Sequence, residues 1–112
     1  MSLFTWGRGR HDTGYKAFTL IYSKRFWLDC YLIRYPTGAS IPLHKDPIKN
    51  GKMYRLNIEF WKPKEGGKFH SNTLFSLFGR IHLFRPDIEE HYVTPVTKGE
   101  RWVFSIGKIL KQ

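Results

Sequence analysis

The sequence predicts an all-β domain, a double-stranded β-helix (jelly roll) with little or no helix, on three observations: dense turn signals, strand-like segments between them, and one long segment that alternates with period two. Turn residues recur at Ser23-Lys24, Pro36-Thr37-Gly38, Asp46-Pro47, Asn50-Gly51, Pro63 to Gly67, Ser71-Asn72, Arg85-Pro86-Asp87 and Lys98-Gly99, leaving few gaps long enough for a helix. The pieces between them include Thr19-Leu20-Ile21-Tyr22, Tyr31-Leu32-Ile33, Ile81-His82-Leu83-Phe84 and Trp102-Val103-Phe104-Ser105-Ile106, rich in β-branched and aromatic residues and therefore read as strands. From Met53 to Trp61, Tyr54, Leu56, Ile58 and Phe60 share one face and Arg55, Asn57 and Glu59 the other. That strand is expected to bury its apolar face and to expose its polar one, although the polar residues suit a pocket wall equally well. Asn50-Gly51 suits a type I′ turn, which would pair the segment around His44 with this strand as a hairpin. About seven or eight short strands make a jelly roll the economical arrangement at this length.

At 112 residues the chain is one domain, residues 1–112, with the Gly- and Arg-rich stretch within 1–14 read as a mobile basic arm. The formal net charge is +10, with 41% hydrophobic, 17% aromatic and 25% charged residues, a balance that excludes a disordered basic tail. Cys30 is the one cysteine, which excludes internal disulfides and multi-cysteine zinc or iron–sulfur sites and sets the expectation of a reducing, cytoplasmic setting. No run of about 18 apolar residues is present, and Arg8, Arg10, His11 and Asp12 stand where a signal peptide needs its apolar stretch. A soluble protein with no membrane partner is expected.

The positive excess favours an anionic macromolecule as partner. Arg8-Gly9-Arg10, Lys24-Arg25, Lys45, Lys49, Lys52, Lys62, Lys64 and Lys68 are interspersed with Trp6, Trp27 and Trp61, a mixture that suits phosphate neutralisation and base stacking, so nucleic acid is the leading expectation. Incidental basicity explains the composition about as well, because charge reports association and not specificity. Nothing in the sequence sets the oligomeric state.

Residues His44 and Asp46 are two apart, and on a strand i and i+2 project from one face, so an imidazole and a carboxylate can converge on one ion. With five histidines and four aspartates in 112 positions, a chance His-x-Asp arises roughly 0.2 times (5 × 4/112), so the pair alone is weak. His91 is the candidate third ligand, opening the segment His91-Tyr92-Val93-Thr94-Pro95-Val96. Two histidines and one carboxylate on neighbouring strands make the facial triad that leaves positions open on Fe(II). Arg101 follows His91 by ten residues; it could grip a carboxylate bidentately, or it could be an ordinary solvated arginine. His82 within its strand is read as satisfied or outward-facing, His70 as solvated, His11 as part of the arm, Cys30 as a small packed hydrophobe, and Glu89-Glu90 as a solvated turn.

Taken together in order, these elements resemble the iron(II)- and 2-oxoglutarate-dependent oxygenases, in the branch of prolyl hydroxylases and nucleic-acid repair demethylases. Tyr35-Pro36-Thr37-Gly38 is similar to the family's Tyr-x-x-Gly ahead of the His-x-Asp motif, here His44-Lys45-Asp46. Arg55-Leu56-Asn57-Ile58 followed by Gly66-Gly67-Lys68-Phe69 resembles its strand and Gly-Gly turn. Phe84-Arg85-Pro86-Asp87, His91 to Val96 and Gly99-Glu100-Arg101-Trp102 resemble its distal elements.

The resemblance implies that His44, Asp46 and His91 bind Fe(II), that the keto acid end of 2-oxoglutarate chelates the iron, that Arg101 pairs with the distal carboxylate, and that Tyr35 gives that carboxylate a hydroxyl. It implies a dioxygenase that uses O2, releases succinate and CO2, and hydroxylates or demethylates a macromolecular substrate. The alternatives are a non-enzymatic basic β-barrel that binds nucleic acid, a cupin-like metal enzyme that uses no 2-oxoglutarate, and, within the family, a prolyl or other amino-acid side-chain hydroxylase. Family members usually carry helices that brace the larger sheet. This chain has 43 residues ahead of His44 and few after Arg101, which makes it a near-minimal core expected to meet its substrate through a partner, as a dimer or on an open surface.

Overall fold

The computed structural model describes the backbone of residues 6–8 and all of residues 14–111. Twelve strands follow in order: β1 (Trp6–Arg8), β2 (Lys16–Ser23), β3 (Leu28–Tyr35), β4 (Ile41–His44), β5 (Lys52–Trp61), β6 (Glu65–Gly66), β7 (Phe69–Ser71), β8 (Phe75–Leu77), β9 (Ile81–Phe84), β10 (His91–Val93), β11 (Val96–Lys98) and β12 (Arg101–Leu110). No helix occurs among the described residues, and none is long and apolar enough to cross a membrane. The strand count exceeds the sequence expectation because β6 to β8 are only two or three residues long, and β6 falls inside the stretch from Pro63 to Gly67 that reads as a turn.

A seven-stranded sheet in the order β1-β2-β3-β12-β5-β9-β8 forms one wall, and smaller sheets, β4-β10-β7 and β11-β6, complete the roll. All pairings are antiparallel. The arm of residues 1–14 lies outside the described residues except for β1, which pairs with β2, and Gly14. Between the sheets Tyr15, Tyr35, Ala39, Val93, Val96 and Val103 form a small buried core.

Strand β12 shows the sidedness of the large sheet most plainly. Arg101, Val103, Ser105 and Gly107 are buried, while Trp102, Phe104, Ile106 and Lys108 are less so. The same polarity governs β5 and overturns the sequence expectation: Glu59 is buried at 7% exposure, whereas Phe60 is 44% exposed. Arg55, Asn57 and Glu59 face the interior, and Tyr54, Leu56, Ile58 and Phe60 form the outer surface. Period two fixes which residues share a face but not which face is inside. Here Arg55 and Glu59 find partners on the inner face of the same sheet, Asp29 on β3 and Ser105 on β12 for the first and Arg101 on β12 for the second, which offsets the cost of burying them.

The hairpin expected at Asn50-Gly51 is also corrected. Both residues do have positive φ, 48° and 141°, but β4 pairs with β10 and β5 pairs with β12 and β9. Residues 45–51 therefore carry the chain from the small sheet to the large one rather than closing a two-strand turn.

Gly66 is held at φ 78°, and a Cβ there would collide with the Pro95 carbonyl oxygen and approach the Thr97 nitrogen to 2.9 Å. Both contacts are backbone and cannot swing away. Gly66→Ala is expected to cost about 2 kcal/mol or more, read as a lower denaturant midpoint at unchanged m-value.

Candidate metal centre

Three side chains meet where β4 and β10 pair. His44 closes β4 and His91 opens β10, and the antiparallel register sets them opposite each other, with ring centroids 4.2 Å apart. Asp46 lies just beyond β4, its backbone N–H donating to the Pro86 carbonyl at 2.7 Å. One donor atom from each of His44, Asp46 and His91 falls within 4.8 Å of the others. Asp46 turns Oδ1 towards His44 Nε2 at 3.7 Å and Oδ2 towards His91 Nε2 at 3.5 Å.

The imidazoles are oriented from behind. His44 Nδ1 is 2.7 Å from the Pro42 carbonyl oxygen, and His91 Nδ1 is 3.0 Å from that of Glu89. A carbonyl only accepts, so each Nδ1 carries the proton and each Nε2 lone pair is left for an ion, the second-shell arrangement typical of metal-binding histidines. Phe84 packs edge-on against His91 at 5.2 Å, and Phe69 lies 4.9 Å from Phe84, which gives the centre an apolar flank.

The centre opens into a cavity of about 510 Å³ whose walls include Tyr35, Arg55, Asn57 and Ser105. Arg55 donates to both oxygens of Asp29, at 2.8 and 3.0 Å, and to Ser105 Oγ at 2.8 Å. Asn57 Oδ1 is buried with no hydrogen-bond partner among the described residues, a cost that a bound donor would relieve. Asp29 and Ser105 escaped the sequence reading. Their only signal was the alternation of β3 and β12, which needs the register between those strands to become a site. Gly107 is part of this cluster, since a Cβ there would meet Arg55 Cζ at 2.7 Å and Asp29 Oδ1 at 2.8 Å.

Arg101 and Tyr35 lie deeper, opposite each other in the β12–β3 register. Arg101 is 2% exposed, so the solvated reading is overturned. Its Nε donates to Glu59 Oε2 at 2.5 Å, and its guanidinium lies 4.7 Å from the Tyr35 ring centroid. Burial pushes the Tyr35 hydroxyl above its ordinary range, and the neighbouring Arg101 charge opposes that more weakly. The phenol thus stays protonated as a donor. Arg101 and Glu59 line a second cavity of about 650 Å³, and Phe69 is the residue common to both cavities.

The remaining candidates are accounted for locally. His82 is satisfied by Ser76 Oγ and the Gly79 carbonyl, and exposed His70 stacks on Tyr92. The Glu89 carboxylate accepts from Asn72, while its carbonyl orients His91. Cys30 is half-buried on the outer face, and burial raises its thiol pKa. Lys45, between the two ligands, is exposed. His11 lies outside the described residues.

Two imidazole nitrogens and one carboxylate on one side of an open cavity fit Fe(II) and related divalent ions. The fit of a dicarboxylate is less simple, because the deep cation that would take its far end is already bonded to Glu59.

Neither family models nor curated proteins match the chain. Solved structures do. A prolyl-4-hydroxylase from Pseudomonas putida is 15% identical over 96% of this chain and 78% of its own, with a TM-score of 0.68. A cupin-like protein from Thermotoga maritima is 17% identical over 100% and 90%, at 0.57. The cupin domain of Cnp3 from Schizosaccharomyces pombe is 11% identical over 86% of this chain, at 0.59, and the chain spans 65% of that structure's length. The chain has the cupin jelly-roll fold. At these identities the likeness establishes that architecture alone, and cupin neighbours include enzymes.

Co(II), a probe for Fe(II), is expected to stabilise the jelly roll by about 2.7 kcal/mol at 100 times its dissociation constant. His91→Ala, which removes one donor and leaves the backbone register, is expected to abolish that thermal shift.

Proposed function

We propose that the chain is an Fe(II)- and 2-oxoglutarate-dependent dioxygenase that hydroxylates or demethylates a macromolecular substrate, with release of succinate and CO2. The observation that carries this reading is the conjunction, in one jelly roll, of the His44, Asp46 and His91 donor set with a buried arginine, Arg101, against the Tyr35 ring that lines the metal cavity. His44, Asp46 and His91 would hold the iron. The iron and its cosubstrate supply the oxidising chemistry when bound. Tyr35 would donate its hydroxyl to the distal carboxylate and Arg101 those guanidinium N–H groups not already given to Glu59 and to the Tyr35 oxygen. Phe69 and Phe84 keep water from one side of the centre, where exclusion of solvent suppresses side reactions.

The Glu59–Arg101 pair favours a second reading, a cupin-type metal enzyme that takes no 2-oxoglutarate. A buried cation shared by two carboxylates leaves one negative charge uncompensated in a poorly solvated place. A dicarboxylate must therefore displace Glu59 or bind as Glu59 takes up a proton.

Anaerobic titration of the apoprotein with Fe(II) and then 2-oxoglutarate separates the two. The expected result is the weak visible charge-transfer band of a chelated keto acid, absent in His91→Ala and needing far more 2-oxoglutarate in Arg101→Ala. Glu59→Gln keeps an acceptor for Nε and removes the competing charge, so it is expected to tighten 2-oxoglutarate binding about tenfold. No band in the folded wild type, or no response to either Arg101→Ala or Glu59→Gln, overturns the 2-oxoglutarate reading.

For the substrate we propose an anionic macromolecule, with nucleic acid ahead of protein. Support comes from the net charge of +10 and from the exposed Trp61 and Trp27, 61% and 42%, aromatic surfaces of the kind that stack on bases, with the Lys111 ammonium over the Trp27 ring. Succinate release is expected to be stimulated by single-stranded oligonucleotides more than by proline-containing peptides, and to fall steeply between about 50 and 200 mM salt. Stimulation by the peptides alone would make the chain an amino-acid side-chain hydroxylase.

A further inference from the structure

The outer face of the seven-stranded sheet is apolar and uncovered. Leu32, Phe104, Ile58 and Ile81 lie side by side across β3, β12, β5 and β9: Phe104 is opposite both Leu32 and Ile58, and Ile81 is opposite Ile58, with Leu83 beside it opposite Leu56. Phe75 extends this surface on β8, opposite Leu83. Phe104, Phe60 and Phe75 are 37%, 44% and 51% exposed. A soluble monomer rarely shows a contiguous apolar patch above about 300–600 Å².

We propose that this face is the interface between two copies of the chain, packed sheet against sheet about a twofold axis. Strands about 4.8 Å apart that rise about 3.4 Å per residue give six strands of six or so residues a face of about 600 Å². Two such faces remove about 1,200 Å² from water, the lower bound of a standard stable interface, before the relief of the aromatic side chains is counted.

Among the described residues nothing covers the face, and β1 extends the sheet in its own plane beside β2. Of the charges on this side, Arg34 pairs with Glu100 and lies over Trp102, the Lys108 ammonium donates to the Phe26 carbonyl, and Lys16 and Lys52 stand at the margins, at the starts of β2 and β5. The surface therefore presents apolar and aromatic groups rather than a charge pattern calling for a partner of opposite sign. A twisted apolar sheet face is self-complementary, because two such sheets pack with strands about 30° apart. The metal centre lies on the inner side of the roll, so association leaves it open.

Sedimentation equilibrium of the full chain between 1 and 100 µM tests this. The expected mass is twice the 13.3 kDa of one chain. Phe104→Glu, at the centre of the face, is expected to raise the dimer dissociation constant at least 100-fold while Co(II) binding is retained. Phe60→Lys, whose ring already meets solvent, supplies the same test if Phe104→Glu fails to fold. A wild-type chain monomeric at 100 µM assigns the face to a different polypeptide and overturns the proposal. So does a dimer that persists unchanged in both variants, or an open-ended association with no limiting mass.

Discussion

The interior of this protein depends on the register of β12. That strand is hydrogen-bonded on both sides, to β3 and to β5, along most of its ten residues. Its inward residues run Arg101, Val103, Ser105, Gly107, so one strand delivers the deep cation, a core contact, a hydroxyl and a gap. A slip of one residue would turn all four outward and bring Trp102, Phe104 and Ile106 into a space lined with charges. Antiparallel pairing on both flanks makes that slip costly, and the polar groups of the roll are positioned by backbone hydrogen bonds rather than by their own attraction.

Two arginine–carboxylate pairs occupy that interior, Arg55 with Asp29 and Arg101 with Glu59. Buried pairs of this kind contribute little net stability, since desolvation consumes most of the Coulombic gain, but losing one partner leaves a stranded charge that costs about 3–5 kcal/mol. Each pair is thus hard to lose by single steps. Gly107 strengthens the first constraint, because the guanidinium of Arg55 fills the space a side chain would take. The outcome is a cavity whose electrostatics are fixed before any ligand arrives.

Much of this was legible in the chain. Turn spacing and β-branched runs gave the all-β class, and the order of His44, Asp46, His91 and Arg101 marked the residues that the fold gathers around the interior. The sidedness of β5 was not legible, because alternation has no sign. An apolar row is assumed to face inward unless something outside the local window, here Asp29 on β3 and Arg101 on β12, gives the polar row its partners. Glu59 was hidden for the same reason: its partner lies 42 residues away, and only folding brings them together. Asn50-Gly51 has the backbone angles its dipeptide favours, yet a turn's conformation does not name the strands on either side of it.

Phe69 is common to both cavities, one holding the metal centre and the other Arg101 and Glu59. Among the described residues it is the one side chain that faces the metal centre on one side and the Arg101–Glu59 pair on the other. A change of shape at this single position is therefore felt twice, in the apolar flank of the ion and in the wall beside the buried ion pair, so the two regions cannot be altered independently there.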